Sequence, residues 1–297
     1  MKKNIPPLTQ FVSNILGIKN ISSRPELTSA IYHFHLPAES DCERKWKAFP
    51  QFKGKTRSLD SLSCHASVLR NGHRPHPSHA HADEELLVLL SGEIDVIVKD
   101  NKATTGLRRR KLKPFEFMYY PAYYAHTLET TSNEPAVYVM FKWHAQKKNK
   151  MPVLTHGHFM PFSENVEIRN TSRLYSYRIF EGATSYCRKL HAHASVLMPG
   201  VSYAPHVDDY DVAIIVLDGD VETLNQRAKN YNIIFYAAGT PHGMHNPSQK
   251  PARYLVFEFH GYGISSFFRK TVVFLRHIAA YATWKRKIKS LSEKLFQ

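Results

Sequence analysis

Apolar and polar residues along most of the chain form short alternating or wholly apolar runs, a pattern typical of β-strands. Residues 30–36 alternate in this way, whereas Leu86–Leu90 is a continuous apolar run that ends at Gly92. Such a run, closed by a turn residue, is typical of a strand buried on both faces. Pro, Gly, Asn and Asp separate the runs, so the pattern predicts an all-β chain up to about residue 263.

Residues 264–297 follow a different pattern. Their apolar residues recur at helical spacing, and eight Lys or Arg stand against one acid, Glu293. This predicts a basic amphipathic C-terminal helix. Its apolar stripe could pack within the protein or against a second copy, or it could lie on an anionic membrane surface. We favour packing, because it requires no particular lipid.

Two segments occur twice, which predicts two tandem copies of one β domain. His-Ala-Ser-Val-Leu stands at 65–69 and again at 193–197, and Pro-Ala-x-Tyr begins at Pro135 and again at Pro251. The separation of the two segments is larger in the first copy. A longer loop around 99–113 accounts for nearly all of the difference.

The stretch from His79 to Gly92 carries most of the candidate chemistry. His79 and His81 are two residues apart, so on a strand both side chains leave the same face. Glu85 follows, and the segment Pro121-Ala-Tyr-Tyr-Ala-His adds His126. Three imidazoles and one carboxylate suit a first-row divalent metal. A surface loop rich in histidine is the alternative, but it would explain neither the Glu nor the apolar run.

These two segments resemble the two sequence motifs of the cupin superfamily, and the duplication resembles a two-domain, germin-like bicupin. The resemblance implies two tandem double-stranded β-helix (jelly-roll) barrels. It also implies that His79, His81, Glu85 and His126 bind one metal ion in the first barrel. That ligand set accepts Fe, Mn, Ni, Zn or Cu. One departure is Tyr123, where the second motif usually has Gly, so we expect the tight turn there to differ.

The predicted organisation has four parts. Residues 1–60 form a lead-in that packs on the barrels, and the basic, aromatic stretch 46–57 within it is expected to be a loop. Residues 61–150 form barrel 1 with the complete metal site. Residues 151–263 form barrel 2 with a degenerate site, and 264–297 form the helix.

The second copy keeps only part of the ligand set. His206 and His242 occupy histidine positions, but Asp208 replaces the second His and Val212 replaces the Glu. Two histidines and one carboxylate could hold non-haem iron as a facial triad. Alternatively, the site has decayed and its polar groups bond to each other. We favour decay, because valine supplies no ligand atom.

Composition narrows the classes of partner and the location of the protein but does not indicate its fold. The 297 residues carry a formal net charge of +15, which favours an anionic small-molecule substrate or an anionic surface. Three cysteines without paired spacing, and no signal peptide, predict a reducing, cytoplasmic location. No recognition motif for sequence-specific nucleic-acid binding occurs, and a homodimer is compatible with the sequence.

Three classes of function remain open at this point. The first is a metal-dependent, oxygenase-type oxidoreductase acting on a small, anionic organic substrate. The second is a metal-dependent isomerase, lyase or hydrolase acting on a sugar or small acid, and the third is a non-catalytic binding or sensing protein. Tyr123 and Tyr124, just before His126, are candidates to line the site mouth or supply a hydroxyl group. Ordinary aromatic packing at a barrel end is their alternative role.

Overall fold

The structure is a computed structural model that describes residues 25–37, 45–99, 107–146, 148–162, 173–262 and Tyr281. From residue 25 to residue 262 the described segments are strands, turns and bends, which confirms the all-β prediction. Apart from Tyr281, the predicted helix 264–297 lies outside the described residues and stays a prediction. Within the described part of the chain, no helix is long and apolar enough to cross a membrane.

The described residues include nineteen strands. They are β1 Ala30–Tyr32, β2 Trp46–Gly54, β3 Ser61–Leu69, β4 Glu84–Ser91, β5 Ile94–Lys99, β6 Leu107–Leu112, β7 Phe117–Tyr120, β8 His126–Glu129, β9 Ala136–His144, β10 Gly157–Phe159, β11 Leu174–Gly182, β12 Cys187–Leu197, β13 Ser202–Val207, β14 Asp211–Asp218, β15 Val221–Thr223, β16 Gln226–Ala228, β17 Ile233–Tyr236, β18 Pro241–His245 and β19 Ala252–Gly261.

The strands form two barrels, each built from a large and a small antiparallel sheet. In the first barrel the large sheet has the order β10-β7-β4-β9-β3-β2 and the small sheet β6-β5-β8. In the second barrel the corresponding orders are β1-β17-β14-β19-β12-β11 and β13-β18-β15-β16. The matching orders confirm the predicted duplication. The β5–β6 hairpin has six residues per strand against three in β15–β16, so the longer hairpin lies in the first copy, as predicted.

The two large sheets exchange edge strands. β1 precedes the first barrel in sequence but pairs with β17 of the second, and β10 precedes the second barrel but pairs with β7 of the first. Each sheet is therefore completed by the strand that leads into the other barrel. The domain limits predicted at residues 60, 150 and 263 stay a prediction. The pairings of β1 with β17 and of β10 with β7 join residues on opposite sides of the limits at 60 and 150.

The loop expected at 46–57 is wrong for most of its length, because β2 spans Trp46–Gly54 and pairs with β3. A register shift between Pro50 and Phe52 interrupts the alternation of apolar and polar residues, which hides the strand in the sequence. Phe52 is buried, whereas Lys53 is exposed, as expected for neighbouring residues on opposite faces.

The main core lies between the two large sheets, which pack face to face. Aromatic rings from both barrels meet there: the ring centroids of Phe117 and Phe257 are 5.3 Å apart, and those of Trp143 and Phe259 are 5.1 Å apart. Separate apolar clusters fill the two barrel interiors. Both faces of β4 are thus buried, which explains the continuous apolar run Leu86–Leu90.

A buried carboxyl group crosses the boundary between the barrels. Glu84 is fully buried and accepts hydrogen bonds from the Tyr119 hydroxyl (3.1 Å), the Thr184 hydroxyl (2.7 Å) and the Ser185 backbone N–H (2.7 Å). Burial raises the pKa of Glu84, and the hydrogen bonds from Thr184, Ser185 and Tyr119 oppose this shift. Two of the three donors come from the chain leading into β12, so this contact ties the second barrel to the first.

We predict that Phe257→Ala lowers the free energy of unfolding by about 3–5 kcal/mol, because it leaves a cavity between the sheets. Phe257 is 0% exposed and contacts aromatic rings of the other barrel. Denaturant unfolding followed by circular dichroism measures the change. Leu174→Ala is the matched control, since Leu174 is 39% exposed. An equal loss for both variants would contradict the interface role.

Candidate metal centre

The structure brings His81, Glu85 and His126 together. Their ligand atoms all lie within 4.8 Å of one another. His79 is adjacent but outside this tightest group: its ring centroid is 5.1 Å from that of His81 and 5.4 Å from that of His126. On its other side the His79 ring contacts His76 at 4.0 Å, edge to face.

Backbone hydrogen bonds hold the histidine-bearing loop against the second motif. His79 and His126 face each other as an antiparallel bridge, with N–H to carbonyl distances of 3.2 and 3.1 Å. The Tyr123 N–H donates to the His81 carbonyl at 2.6 Å. Glu85 lies within β4 and His126 begins β8, so the three imidazoles are fixed to a rigid frame around the carboxylate.

Carbonyl groups orient two of the imidazoles. Nδ1 of His126 lies 2.8 Å from the Tyr124 carbonyl, and Nδ1 of His81 lies 3.1 Å from the Asp83 carbonyl. A carbonyl can only accept, so each Nδ1 carries the proton and each Nε2 presents a lone pair. This is the usual arrangement of histidines that bind metal through Nε2. The Tyr120 ring stacks on His126 at 4.3 Å and restricts its rotation further.

The Glu85 oxygens fit a metal ligand better than a hydrogen-bond acceptor. Nε2 of His81 and of His126 approach them to 2.9 and 2.7 Å. Within the described residues these approaches do not have hydrogen-bond geometry, and Nε2 of His81 and Nδ1 of His79 likewise have no hydrogen-bond partner. Buried polar atoms without such partners are rare in proteins. Nitrogen and oxygen atoms that converge in this way are the donor set that a divalent cation requires.

Sequence reasoning missed Lys142, whose Nζ contacts Glu85. The two residues are directly opposite on β4 and β9. Burial opposes ionisation of Glu85, but His126, His81 and the Lys142 ammonium hold its pKa well below the usual range. The signal was present in the duplication, because Lys142 corresponds to Glu258 in the second copy. A reversal of charge at matched positions marks a site that differs between the copies.

The turn at Tyr123 does not differ as we expected from the missing Gly. Tyr123 has φ of 62°, in the left-handed region, and the corresponding Gly239 has φ of 83°. The same hydrogen bond forms in both copies, since Gly239 N–H donates to the Asp208 carbonyl at 2.7 Å. Tyrosine therefore adopts the glycine conformation at some cost in strain. The hydrogen bond to His81 keeps the turn in place.

The two tyrosines before His126 have different surroundings. The Tyr123 side chain is 62% exposed, and Nζ of Lys148 lies 5.4 Å from its ring centre. The Tyr124 hydroxyl donates to the Lys99 carbonyl at 2.9 Å, and its ring stacks on His156 at 4.5 Å. These contacts support a packing role for Tyr124. A role for either hydroxyl at the site mouth stays a prediction.

In the second barrel His206, Asp208 and His242 form a corresponding group, with ligand atoms within 4.8 Å of one another. Oδ2 of Asp208 lies 3.5 Å from Nε2 of His206 and 3.4 Å from Nε2 of His242. Burial opposes ionisation of Asp208, but the two histidines hold its pKa far below the usual range. The geometry is compatible both with a facial triad that binds a metal and with a decayed site, so both interpretations of the second barrel stay open.

The comparisons with known proteins agree with this geometry. The sequence model of the family described as "Cupin domain" matches residues 67–142, a segment that contains all four candidate ligands. This segment of the chain therefore carries a cupin domain. No curated protein sequence matches the chain.

Solved structures of three other proteins are similar to this chain in fold. A salicylate 1,2-dioxygenase from Pseudaminobacter salicylatoxidans is 8% identical with a TM-score of 0.58, covering 87% of this chain and 95% of that one. A putative glyoxylate-induced protein from Pseudomonas aeruginosa is 13% identical with a TM-score of 0.56, covering 75% and 84%. AerE from Microcystis aeruginosa is 16% identical with a TM-score of 0.51, covering 67% and 87%. At these identities the likeness shows the fold alone.

We predict that the residue at position 123 changes stability through its backbone rather than its ring. A non-glycine residue in the left-handed region costs about 1–3 kcal/mol, whereas glycine carries an entropy cost of about 0.5–1 kcal/mol. Tyr123→Gly should therefore have a free energy of unfolding equal to that of the parent or up to about 2 kcal/mol higher. Tyr123→Val should be less stable than the Gly variant by about 1–2 kcal/mol. Thermal and denaturant unfolding measure both, with Tyr123→Ala as the control for loss of the ring. Equal stability of the Gly and Val variants would contradict the assigned strain.

Proposed function

We propose that His79, His81, Glu85 and His126 bind one divalent first-row transition metal in the first barrel. We further propose that the protein is an oxygenase-type oxidoreductase for a small, anionic organic substrate. The observation that carries the proposal is the convergence of the His81 and His126 ring nitrogens on the buried Glu85 carboxylate. Ligand chemistry alone accepts Fe, Mn, Ni, Zn or Cu, and an oxygenase function requires a metal that is redox-active.

A metal in this site would polarise a bound substrate and, if redox-active, support chemistry with dioxygen. Three neutral imidazoles and one carboxylate leave a net charge of one on a divalent ion. The chain's own residues set the rest of the environment. Tyr120 stacks on His126, and the carbonyls of Tyr124 and Asp83 fix the two imidazoles.

Lys142 supports an anionic substrate. Its side chain is 27% exposed and its ammonium faces the fully buried Glu85. A metal bound to Glu85 takes over the neutralisation of that carboxylate. The ammonium of Lys142 then stands beside a centre that is already positive. An anionic group on the substrate would compensate the positive charges of the metal centre and of Lys142, because charges of low exposure need a partner of opposite sign.

His65, a histidine of the first barrel outside the candidate ligand set, gives little support to the isomerase, lyase or hydrolase alternative. Such chemistry works best with an acid or base whose pKa lies near the working pH. His65 lies near both Lys142 and Glu85, but burial and the Lys142 charge lower its pKa to about 4. It is a weak base at neutral pH. An oxidoreductase depends less on a general base of this kind, because the metal would supply the redox chemistry.

Turnover of a substrate would distinguish both classes of enzyme from the non-catalytic binding or sensing protein. The cytoplasmic location, the homodimer and any contact of 264–297 with an anionic membrane are further predictions from the sequence.

We predict about one tightly bound metal per chain in protein purified without added metal. Replacing both His79 and His81 by Ala, or His126 by Ala, should remove most of it, because too few ligands remain. His206→Ala is the matched control in the second barrel and should change the total little. Elemental analysis by mass spectrometry gives the stoichiometry. Undiminished metal in the His79→Ala, His81→Ala variant would contradict the site.

We predict dioxygen consumption when the iron-loaded protein meets a suitable small carboxylate, and a dependence of substrate binding on Lys142. A hydrogen bond to a charged group contributes about 1.5–3 kcal/mol to the free energy of an interaction. Lys142→Met should therefore raise KM by roughly 10- to 100-fold at about 1.4 kcal/mol per factor of ten. An oxygen electrode records the reaction across a panel of hydroxy, keto and aromatic acids.

Lys111→Met is the control for the last prediction, since it removes the same charge from an exposed hairpin residue that pairs with Glu93. An equal rise of KM in both variants would show that only net charge matters. Product formation without dioxygen uptake would favour the isomerase, lyase or hydrolase, and substrate binding without turnover would favour the sensing protein.

A further inference from the structure

One row of paired residues crosses the large sheet of the second barrel. Starting from β17, each residue lies opposite the next on the neighbouring strand: Tyr236, Val212, Glu258, His191 and Glu181. Residues opposite one another in an antiparallel sheet share a face. Glu258, His191 and Glu181 therefore stand side by side on the face of the sheet that carries Val212, the position of the lost carboxylate.

The matching row of the first barrel carries different charges. It consists of Tyr120, Glu85, Lys142, Ser63 and Lys53. Between the copies, Lys142 corresponds to Glu258, Ser63 to His191 and Lys53 to Glu181. Each of these three changes replaces a cation or a neutral hydroxyl with a group that attracts a cation. The second copy has thus lost its carboxylate at Val212 and gained two others further along the same row.

His193 completes a compact donor group with His191 and Glu258. It lies two residues after His191 on β12 and so faces the same side. The ligand atoms of these three residues lie within 4.8 Å of one another. Nε2 of His191 is 3.2 Å from Nδ1 of His193, and Oε1 of Glu258 is 3.9 Å from that same Nδ1. Two nitrogen ligands at 2.0–2.1 Å from a tetrahedral ion would be about 3.4 Å apart.

The surroundings orient the donors as the neighbours of a metal site do. Nδ1–H of His191 donates to Glu181 at 2.9 Å, which leaves the Nε2 lone pair facing His193. A carboxylate behind a histidine is a common partner of metal-bound imidazole. Nε2 of His260 lies 2.8 Å from Oε2 of Glu258 and orients that carboxylate, while Lys189 pairs with Glu181 at 3.4 Å.

Solvent can reach the group. The side chains of His191, His193 and Glu258 are 15%, 21% and 14% exposed, so water could fill the remaining positions around an ion. Burial lowers the pKa of His193, which keeps its imidazole neutral at neutral pH. The three residues are separate from His206, Asp208 and His242, which form a group of their own.

We propose that His191, His193 and Glu258 form a second cation site, which takes a divalent first-row transition ion such as Zn²⁺ or Co²⁺. Glu181 is a positioning residue that holds His191 in the binding tautomer. With three protein ligands and partial exposure, the site binds more weakly than the four-ligand centre of the first barrel. It fills on titration rather than persisting through purification.

The test is titration with Co²⁺, whose visible absorption reports coordination, into a variant that lacks the first-barrel ligands His79, His81 and His126. We expect one ion to bind and to be displaced by Zn²⁺. Glu181→Gln should weaken binding by roughly 10- to 100-fold, as loss of an orienting partner does. Replacing His191 by Ala or Glu258 by Gln should weaken it more. His65→Ala, the counterpart of His193 in the first barrel, is the matched control and should have no effect.

Three results would overturn the proposal: no Co²⁺ binding, binding that is lost with His206→Ala but kept with His191→Ala, or equal losses with His65→Ala and His191→Ala. If the variant lacking the first-barrel ligands does not fold by circular dichroism, the titration uses the unmutated protein with its first site loaded. One additional ion, absent from Glu258→Gln, is then the expected result. No additional ion, or one that Glu258→Gln retains, would refute the site.

Discussion

The face-to-face packing of the two large sheets constrains everything else in this protein. It buries one side of the central strands in an apolar core rich in aromatic rings and leaves the other side to line a barrel. Glu84 and Glu85 show how strictly this divides neighbouring residues. Glu84 points to the sheet interface and bonds with Thr184 and Ser185, whereas Glu85 points inward to the histidines. A slip of one residue in β4 would exchange their roles and abolish both contacts.

The same alternation explains the second copy. Asp211 occupies the position of Glu84 and is also buried, accepting a hydrogen bond from the Ala238 N–H at 3.0 Å. Val212 occupies the position of Glu85. The outward carboxyl group was retained where it supports the chain around the barrel, and the inward one was replaced by an apolar side chain. Structure and chemistry at adjacent residues have therefore diverged independently.

The sequence predicts the duplication and the candidate ligands because both depend on local spacing and residue type. His79, His81, Glu85 and His126 could be identified from their order alone. Lys142 could not, because its contact with Glu85 depends on the register of β4 against β9, which no local pattern encodes. The strand β2 was hidden by its bulge, and the exchange of β1 and β10 joins residues far apart in sequence. The conformation of Tyr123 was missed because a hydrogen bond to His81, rather than residue preference, sets it.

The charges that differ between the copies are coupled by the cost of burying them. In the first barrel Glu85 and Lys142 face each other with the carboxylate fully buried, and removing Lys142 alone would take one compensating charge away from a buried anion, which is unfavourable. In the second barrel both positions differ together: Val212 removes the anion and Glu258 removes the cation. Glu258 in turn has His193 and His260 as neighbours, so its negative charge also has partners. A row of opposed residues can therefore change its chemistry only as a set. This is why the loss of a ligand at Val212 is accompanied by a new grouping of donors one strand away rather than by a plain apolar surface.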